Sequence, residues 1–335
     1  MPERPPTPAR AALDRVLRRA PGSGLWQAGP MYRPIPGRPA PVGAAPGRWL
    51  AAALVAGAAC GPDAPGLGPI RPGTPRFAIV RTDYESTAVA TLDAEGRVLA
   101  PALLSSGSRP PGLTAPLSGD VVLGEPAPSA GGEAGPWLTV VDRLGTDVVT
   151  VLHGETGRVR GQVRVSAGAP ANPQDVAWID ASRGWVSRLE VNRDPSAPPL
   201  ARGNDLVELD LAAGALTGRR IDLAGLDAEI ALEGGGRAVI HARPSGLVRR
   251  GDVLVVGLVG LSAGFDAAGP GAIALVDLDD GRVRAIPLPP PVSNCGAVAA
   301  VPGAPQLVLA SCVGFSERIG GEQPEAAALF VLRVT

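Results

Sequence analysis

A serine set between glycines is the first residue pattern able to do chemistry. Gly260-Leu-Ser-Ala-Gly264 follows the apolar run 253–259, and a Gly-x-Ser-x-Gly turn after a strand can lift a hydroxyl to where a histidine takes its proton. That chemistry also needs a helix after the turn and a histidine further along the chain. Here Phe265-Asp-Ala-Ala-Gly-Pro-Gly271 cannot open a helix, and His153 and His241 both precede Ser262. The expectation is a glycine-rich loop at a sheet edge. Asp277-Leu-Asp-Asp-Gly281 offers carboxylates in the manner of a calcium loop, but none of residues 282–290 is a glutamate that could close the coordination shell. It is expected to be a tight turn whose aspartates bond the local backbone.

Asn172, Asp175, Arg188, Asn204 and Asp205 are polar residues near the starts and ends of strand-like segments. If those ends converge, they form a pocket for a polar ligand; otherwise they cap strands and turns. Two function classes follow. One is a non-catalytic scaffold binding protein, glycan or a small molecule, with no cofactor and no metal. The other is a hydrolase similar to propeller lactonases, with a divalent cation held by carboxylates and amides. They are separated by whether acidic and amide side chains from at least three repeats meet at one place. Only one repeat offers such residues, so the scaffold is favoured.

The three cysteines divide by position. The run Trp49-Leu-Ala-Ala-Ala-Leu-Val-Ala-Gly-Ala-Ala59 follows Arg48, ends at Cys60 and is too short to span a bilayer, which takes about 20 apolar residues. Basic residues, a short apolar run and small residues at its end have the form of an export signal. Val55-Ala-Gly-Ala-Ala-Cys60 resembles the lipobox of bacterial lipoproteins, departing from it at Gly57, where leucine is usual. The resemblance implies a lipid on Cys60 and a membrane anchor. Gly61, in place of the aspartate that marks retention at the inner membrane, implies the outer membrane. The expected organisation is a dispensable leader at 1–30, a signal at 31–59, a flexible tether at 60–75 and one domain at 76–335.

Cys295 and Cys312 then remain as a pair in an oxidising compartment. The segment between them reads strand, turn, strand. A turn at 302–305 would set Val301 opposite Gln306 and the two cysteines opposite each other, within reach of a disulfide.

The charge is balanced, with 31 basic and 32 acidic residues, and every basic residue is arginine. No basic excess is available for nucleic acid. The expected state is a monomer.

The elements that must position these residues are strands. Residues 158–166 alternate as a half-buried outer strand, with Val159, Gly161, Val163 and Val165 inward and Arg160, Gln162 and Arg164 outward. Residues 253–259 are apolar throughout, as in a strand covered on both faces. Four strand-turn-strand units carry their turn glycine at Gly96, Gly157, Gly214 and Gly281, a supersecondary unit recurring roughly every sixty residues. Each interval holds four strands, as in 175–179, 184–188, 205–209 and 219–223. Four-stranded units in series predict an all-β fold, a β-propeller of about five to six blades. A β-sandwich is the alternative. The last strand, 328–334, is expected to join the first, 77–80, in one closing blade.

Asn172-Pro-Gln-Asp-Val-Ala, Gly184-Trp-Val-Ser-Arg188, Gly203-Asn-Asp-Leu-Val-Glu-Leu-Asp210, Gly269-Pro-Gly-Ala-Ile-Ala-Leu-Val-Asp277 and Asn294-Cys-Gly together resemble surface lipoproteins of the myxobacterial type with a YncE-like β-propeller. The resemblance covers most of 76–335. It implies the fold and leaves the activity open.

Overall fold

The computed structural model describes residues 70–131, 135–232, 235–315 and 326–334. The leader, the signal, Cys60 and the first part of the tether lie outside the described residues.

The described chain is all-β, and its strands fall into six antiparallel sheets. Sheet A holds β1 (Phe77–Thr82), β2 (Thr87–Leu92) and β3 (Val98–Ser105). Sheet B holds β4 (Val121–Leu123), β5 (Trp137–Asp142), β6 (Val148–His153) and β7 (Val159–Arg164). Sheet C holds β8 (Pro173–Trp178), β9 (Arg183–Val191), β10 (Gly203–Asp210) and β11 (Ala215–Asp222). Two short strands, β12 (Ala228–Ala231) and β13 (Arg237–His241), come next. They are followed by β14 (Pro244–Arg250), β15 (Val253–Leu258), β16 (Leu261–Ser262), β17 (Ala272–Asp277) and β18 (Val283–Pro287). Of these, β12, β13 and β16 make the small sheet D, and β14, β15, β17 and β18 make sheet E. Sheet F holds β19 (Ala297–Ala300), β20 (Leu307–Val313) and β21 (Ala327–Arg333).

The core is a series of apolar layers between neighbouring sheets. Val89, Leu104 and Val140 join A to B; Val141, Trp178 and Val207 join B to C; Trp185, Leu206 and Val256 join C to E; Val255, Ile273 and Val308 join E to F. Meanders of three and four strands packed face to face in series, with β4, β8, β14 and β19 innermost, form a β-propeller. β15 is buried along almost its whole length, because sheet E is covered on both faces.

The four turn glycines each lie in the hairpin that leads to the outermost strand of its sheet: β2–β3, β6–β7, β10–β11 and β17–β18. Gly96, Gly157, Gly214 and Gly281 all have positive φ, between 66° and 79°, a region glycine enters without steric cost. Aspartates complete these turns: Asp277 Oδ1 accepts from Asp279 N, and Asp210 Oδ1 from Ala212 N and Ala213 N. His153 takes the equivalent place and its Nδ1 accepts from Glu155 N.

Three expectations need correction. The first and last strands do not share a blade: β1 pairs with β2, and β21 pairs with β20 along seven residues. Gln162 points inward, not outward. It is 5% exposed, its Oε1 accepting from Thr114 N and Ala115 N and its Nε2 donating to Thr150 Oγ1. The loop before β4 folds over β7 and gives this amide buried partners.

The third correction is the register between β19 and β20, which runs Ala297↔Ser311 to Ala300↔Val308, one residue away from the expected pairing. Cys295 and Cys312 are bonded nonetheless, with S–S 2.07 Å. Cys295 has left the β19 ladder: its N–H donates to Leu258 O at the end of β15, so the sulfur meets Cys312 inside the E–F layer.

Candidate functional site: the axial cavity

The inner strands of sheets C, E and F begin alike. Asn172, Arg243 and Asn294 all have φ near +50°; the first two stand directly before β8 and β14, and Asn294 three residues before β19. Two and three residues further on come Gln174 and Asp175, Ser245 and Gly246, and Gly296 and Ala297. All six line one cavity of about 380 Å³, together with Val122 and Leu123 of β4. The kink before each strand turns its next residues toward the axis. Gly246 is required where β14 meets the segment before β19: its N–H donates to Gly296 O at 2.7 Å, and a Cβ there would come within 2.9 Å of that oxygen.

Asp175 is the carboxylate of this cavity. Oδ2 accepts from Leu247 N at 2.9 Å and Oδ1 from Val176 N at 2.8 Å, so β8 and β14 are tied through it. Burial pushes its pKa from 3.8 to about 6, against the lowering effect of those two N–H groups, and the charge of Glu125 adds to the rise. Its hydrogen-bond partners are backbone N–H groups, with no guanidinium among them. Beside it runs a chain of polar contacts: Arg143 Nε donates to Asp120 Oδ1 at 2.9 Å, Arg143 Nη1 to Gln174 Oε1 at 3.4 Å, and Gln174 Nε2 to Asn172 Oδ1 at 2.6 Å. The cavity thus offers an acceptor that can become a donor near neutral pH, amides, and hydroxyls of Ser245 and Ser311. Such a set has the chemistry to orient a small polar molecule.

The five polar residues singled out in the sequence divide among three places. Asp175 lines the cavity, and Asn172 stands behind it, holding Gln174. Arg188 and Asp205 face each other across β9 and β10, 1% and 0% exposed. Nε and Nη2 of Arg188 reach the two carboxylate oxygens of Asp205 at 2.8 Å each, and Arg220 Nε adds a third bond. This bidentate pair is spent on the interior of sheet C. Asn204 lies at a separate lateral cleft, its Nδ2 donating to Asp227 Oδ1 at 2.9 Å.

Ser262 is 5% exposed; its hydroxyl donates to Asp266 Oδ1 at 2.5 Å and accepts from Asp266 N and Ala267 N. It closes a loop. His241 pairs with Leu261 and therefore sits on the face opposite Ser262. Among the described residues no three His, Cys, Asp or Glu side chains gather as a cation site would need.

Gln174, Arg143 and Asn294 are site residues that motif reading misses. For Gln174 and Asn294 the signal lies in the repeat: aligning Asn172-Pro-Gln-Asp with Arg243-Pro-Ser-Gly and Asn294-Cys-Gly-Ala puts cavity residues in the same columns, whereas Arg143 follows β5 outside these columns.

No family model and no curated protein matches the chain. Among solved structures it is similar to Saccharomyces cerevisiae Sqt1, at 14% identity over 77% of this chain and 58% of that one, with a TM-score of 0.43. It is similar to Chaetomium thermophilum Raptor at 15% identity over 79% and 21%, TM-score 0.42. A third is the β-propeller domain of Myceliophteria thermophila Cps50 (Swd1), at 11% identity over 78% and 72%, TM-score 0.38. The chain spans less than two thirds of the length of the first two. The account of the site rests on the chain's own geometry.

Proposed function

We propose that this chain is an exported lipoprotein, anchored through Cys60 to the cell envelope at the outer membrane, whose propeller binds a small polar ligand in its axial cavity without converting it. In this reading sheets A, B, C, E and F are five blades, sheet D is a flap on their flank, and the protein is a monomer of the YncE-like type. The observation that carries the binding role is the convergence of Gln174, Asp175, Ser245 and Gly296 from three strand starts of one design on one cavity. Beside Asp175 the lining supplies Arg143, amides, the hydroxyls of Ser245 and Ser311 and apolar groups, a set suited to holding a polar molecule.

The export reading rests on the resemblance of 55–60 to a lipobox and on the disulfide, which fits an oxidising compartment. Two measurements test the proposal. Intact mass and membrane partitioning of the native protein beside Cys60→Ala should show a chain starting at an acylated cysteine, lost in the variant; an unprocessed soluble chain would overturn the anchor. Thermal shift against a library of envelope sugars, amino acids and small organic acids should give ligands that stabilise the native protein and leave a cavity-filling Ala297→Trp variant unmoved. Equal shifts in both by every stabilising ligand would overturn the cavity as the site.

A further inference from the structure

A lateral cleft of about 250 Å³ opens between the loop after β9, the start of β10 and the ends of β11 and β13. Asp227, just before β12, anchors it. Oδ1 accepts from Asn204 Nδ2 at 2.9 Å and from Ala242 N at 3.0 Å, and Oδ2 lies 2.6 Å from His241 Nδ1. A carboxylate oxygen accepts, so Nδ1 of His241 donates to it, and Nε2 is the ring nitrogen left for a ligand. His241 lines the cleft, and no described residue bonds Nε2.

Of the other carboxylates here, Asp222 is paired with a guanidinium and Asp194 is held by a serine alone. Asp222 pairs with Arg220 at 2.8 Å, and Asp194 accepts from Ser196 N and Oγ. Arg220 is used in full, on Asp205, Asp222 and Gly203 O. Arg202 is exposed at the rim, its Nε donates to Ala197 O, its charge acts on nearby Asp222, and its two Nη nitrogens make no hydrogen bond among the described residues. The ring and guanidinium nitrogens of the cleft that make no hydrogen bond among the described residues are therefore His241 Nε2 and the Nη pair of Arg202.

We propose that this cleft binds a small hydroxylated carboxylate, its hydroxyl donating to His241 Nε2 and its carboxylate meeting the Nη nitrogens of Arg202. A guanidinium matches a carboxylate in a planar bidentate contact. The hydroxyl satisfies a nitrogen that the Asp227 contact holds in one tautomer. The cleft is smaller than pockets for drug-sized ligands, which suits one sugar ring or an organic acid. The chemistry is shared by free hydroxy acids and by uronic acid units of a glycan.

Titration calorimetry at pH 7.5 tests this with D-glucuronate, D-glucose and a short oligouronate as probes on the full chain. Glucuronate binds and glucose binds about tenfold more weakly, the value of one charge-assisted contact. Arg202→Gln, a change at the exposed rim, lowers glucuronate affinity by about tenfold, and His241→Phe lowers it severalfold. An oligouronate that binds more tightly than the monomer assigns the site to a glycan; equal affinity assigns it to the free acid. No glucuronate binding at millimolar concentration, or binding unchanged in Arg202→Gln, would overturn the proposal. The axial cavity shares no residue with this cleft, so the Ala297→Trp variant should bind glucuronate as the native chain does.

Discussion

Asp205 and Asp175 stand on the same sheet and are both enclosed by protein, but they are provided for differently. Asp205 is completely buried and faces two guanidinium groups, which fix its charge and consume its hydrogen-bonding capacity. Asp175 has only backbone N–H groups, with its pKa raised to about 6 by burial and by Glu125. A carboxylate whose charge is matched inside the fold belongs to the architecture. One left without a cation, facing a cavity, retains the capacity to receive something.

The sharpest break in this comparison is Asp205→Ala. It leaves Arg188 buried without its counter-charge and Arg220 with Asp222 alone, and it should cost about 3–5 kcal/mol in denaturant unfolding. A loss below about 1 kcal/mol would mean that the pair is not structural.

Sheets C and F differ in a related way. Sheet C is a full four-stranded unit held by its ion network, whereas sheet F has three strands and a covalent tie to its own inner edge. Cys312→Ser opens a loop of sequence separation 17 and should cost about 3 kcal/mol. Alkylation of the native protein under denaturing conditions should leave both thiols unlabelled until reductant is added.

Asp175→Asn should act in the opposite sense. A carboxyl whose folded pKa lies above its unfolded value binds a proton more tightly when folded. Its contribution to stability is complete below about pH 4 and is lost as pH rises through 6. The native protein should therefore lose up to about 3 kcal/mol relative to the variant between pH 4 and pH 7. At pH 7 the variant should be as stable as the native chain or more so, less the bond that one amide nitrogen cannot accept. Parallel urea titrations at pH 4, 5.5 and 7 read this directly. A constant difference would contradict it.

Asp210→Ala is the mildest test. It removes the two N–H contacts of one outer turn and should cost about 1 kcal/mol, with no effect on ligand binding.

What is legible in the sequence follows from where local chemistry decides. Turn glycines at 96, 157, 214 and 281 must adopt positive φ, so their recurrence exposes the repeated hairpin and hence the sheets. Sheet C is legible strand by strand because each strand is bounded by such turns. The closing blade is not, because β1 and β21 alternate in much the same way, and a period of two says which face is buried but not which strand lies alongside. The disulfide follows from the sequence although the expected register is off by one: the connection between β19 and β20 closes with Val301 N to Leu307 O, and Cys295 is drawn away by β15. The polar constellation is only partly legible. Charge and strand position do not distinguish Asp175 from Asp205, since the difference lies in Arg188 and Arg220 arriving from neighbouring strands.

The most direct test of that distinction is a carbon-detected NMR titration of the Asp175 carboxyl in the native protein. A midpoint near pH 6 is expected, absent from the Asp175→Asn spectrum and moved when the axial cavity is filled by Ala297→Trp. A midpoint at the ordinary aspartate value, unmoved by that substitution, would mean that the carboxylate is freely solvated and that the cavity does not enclose it.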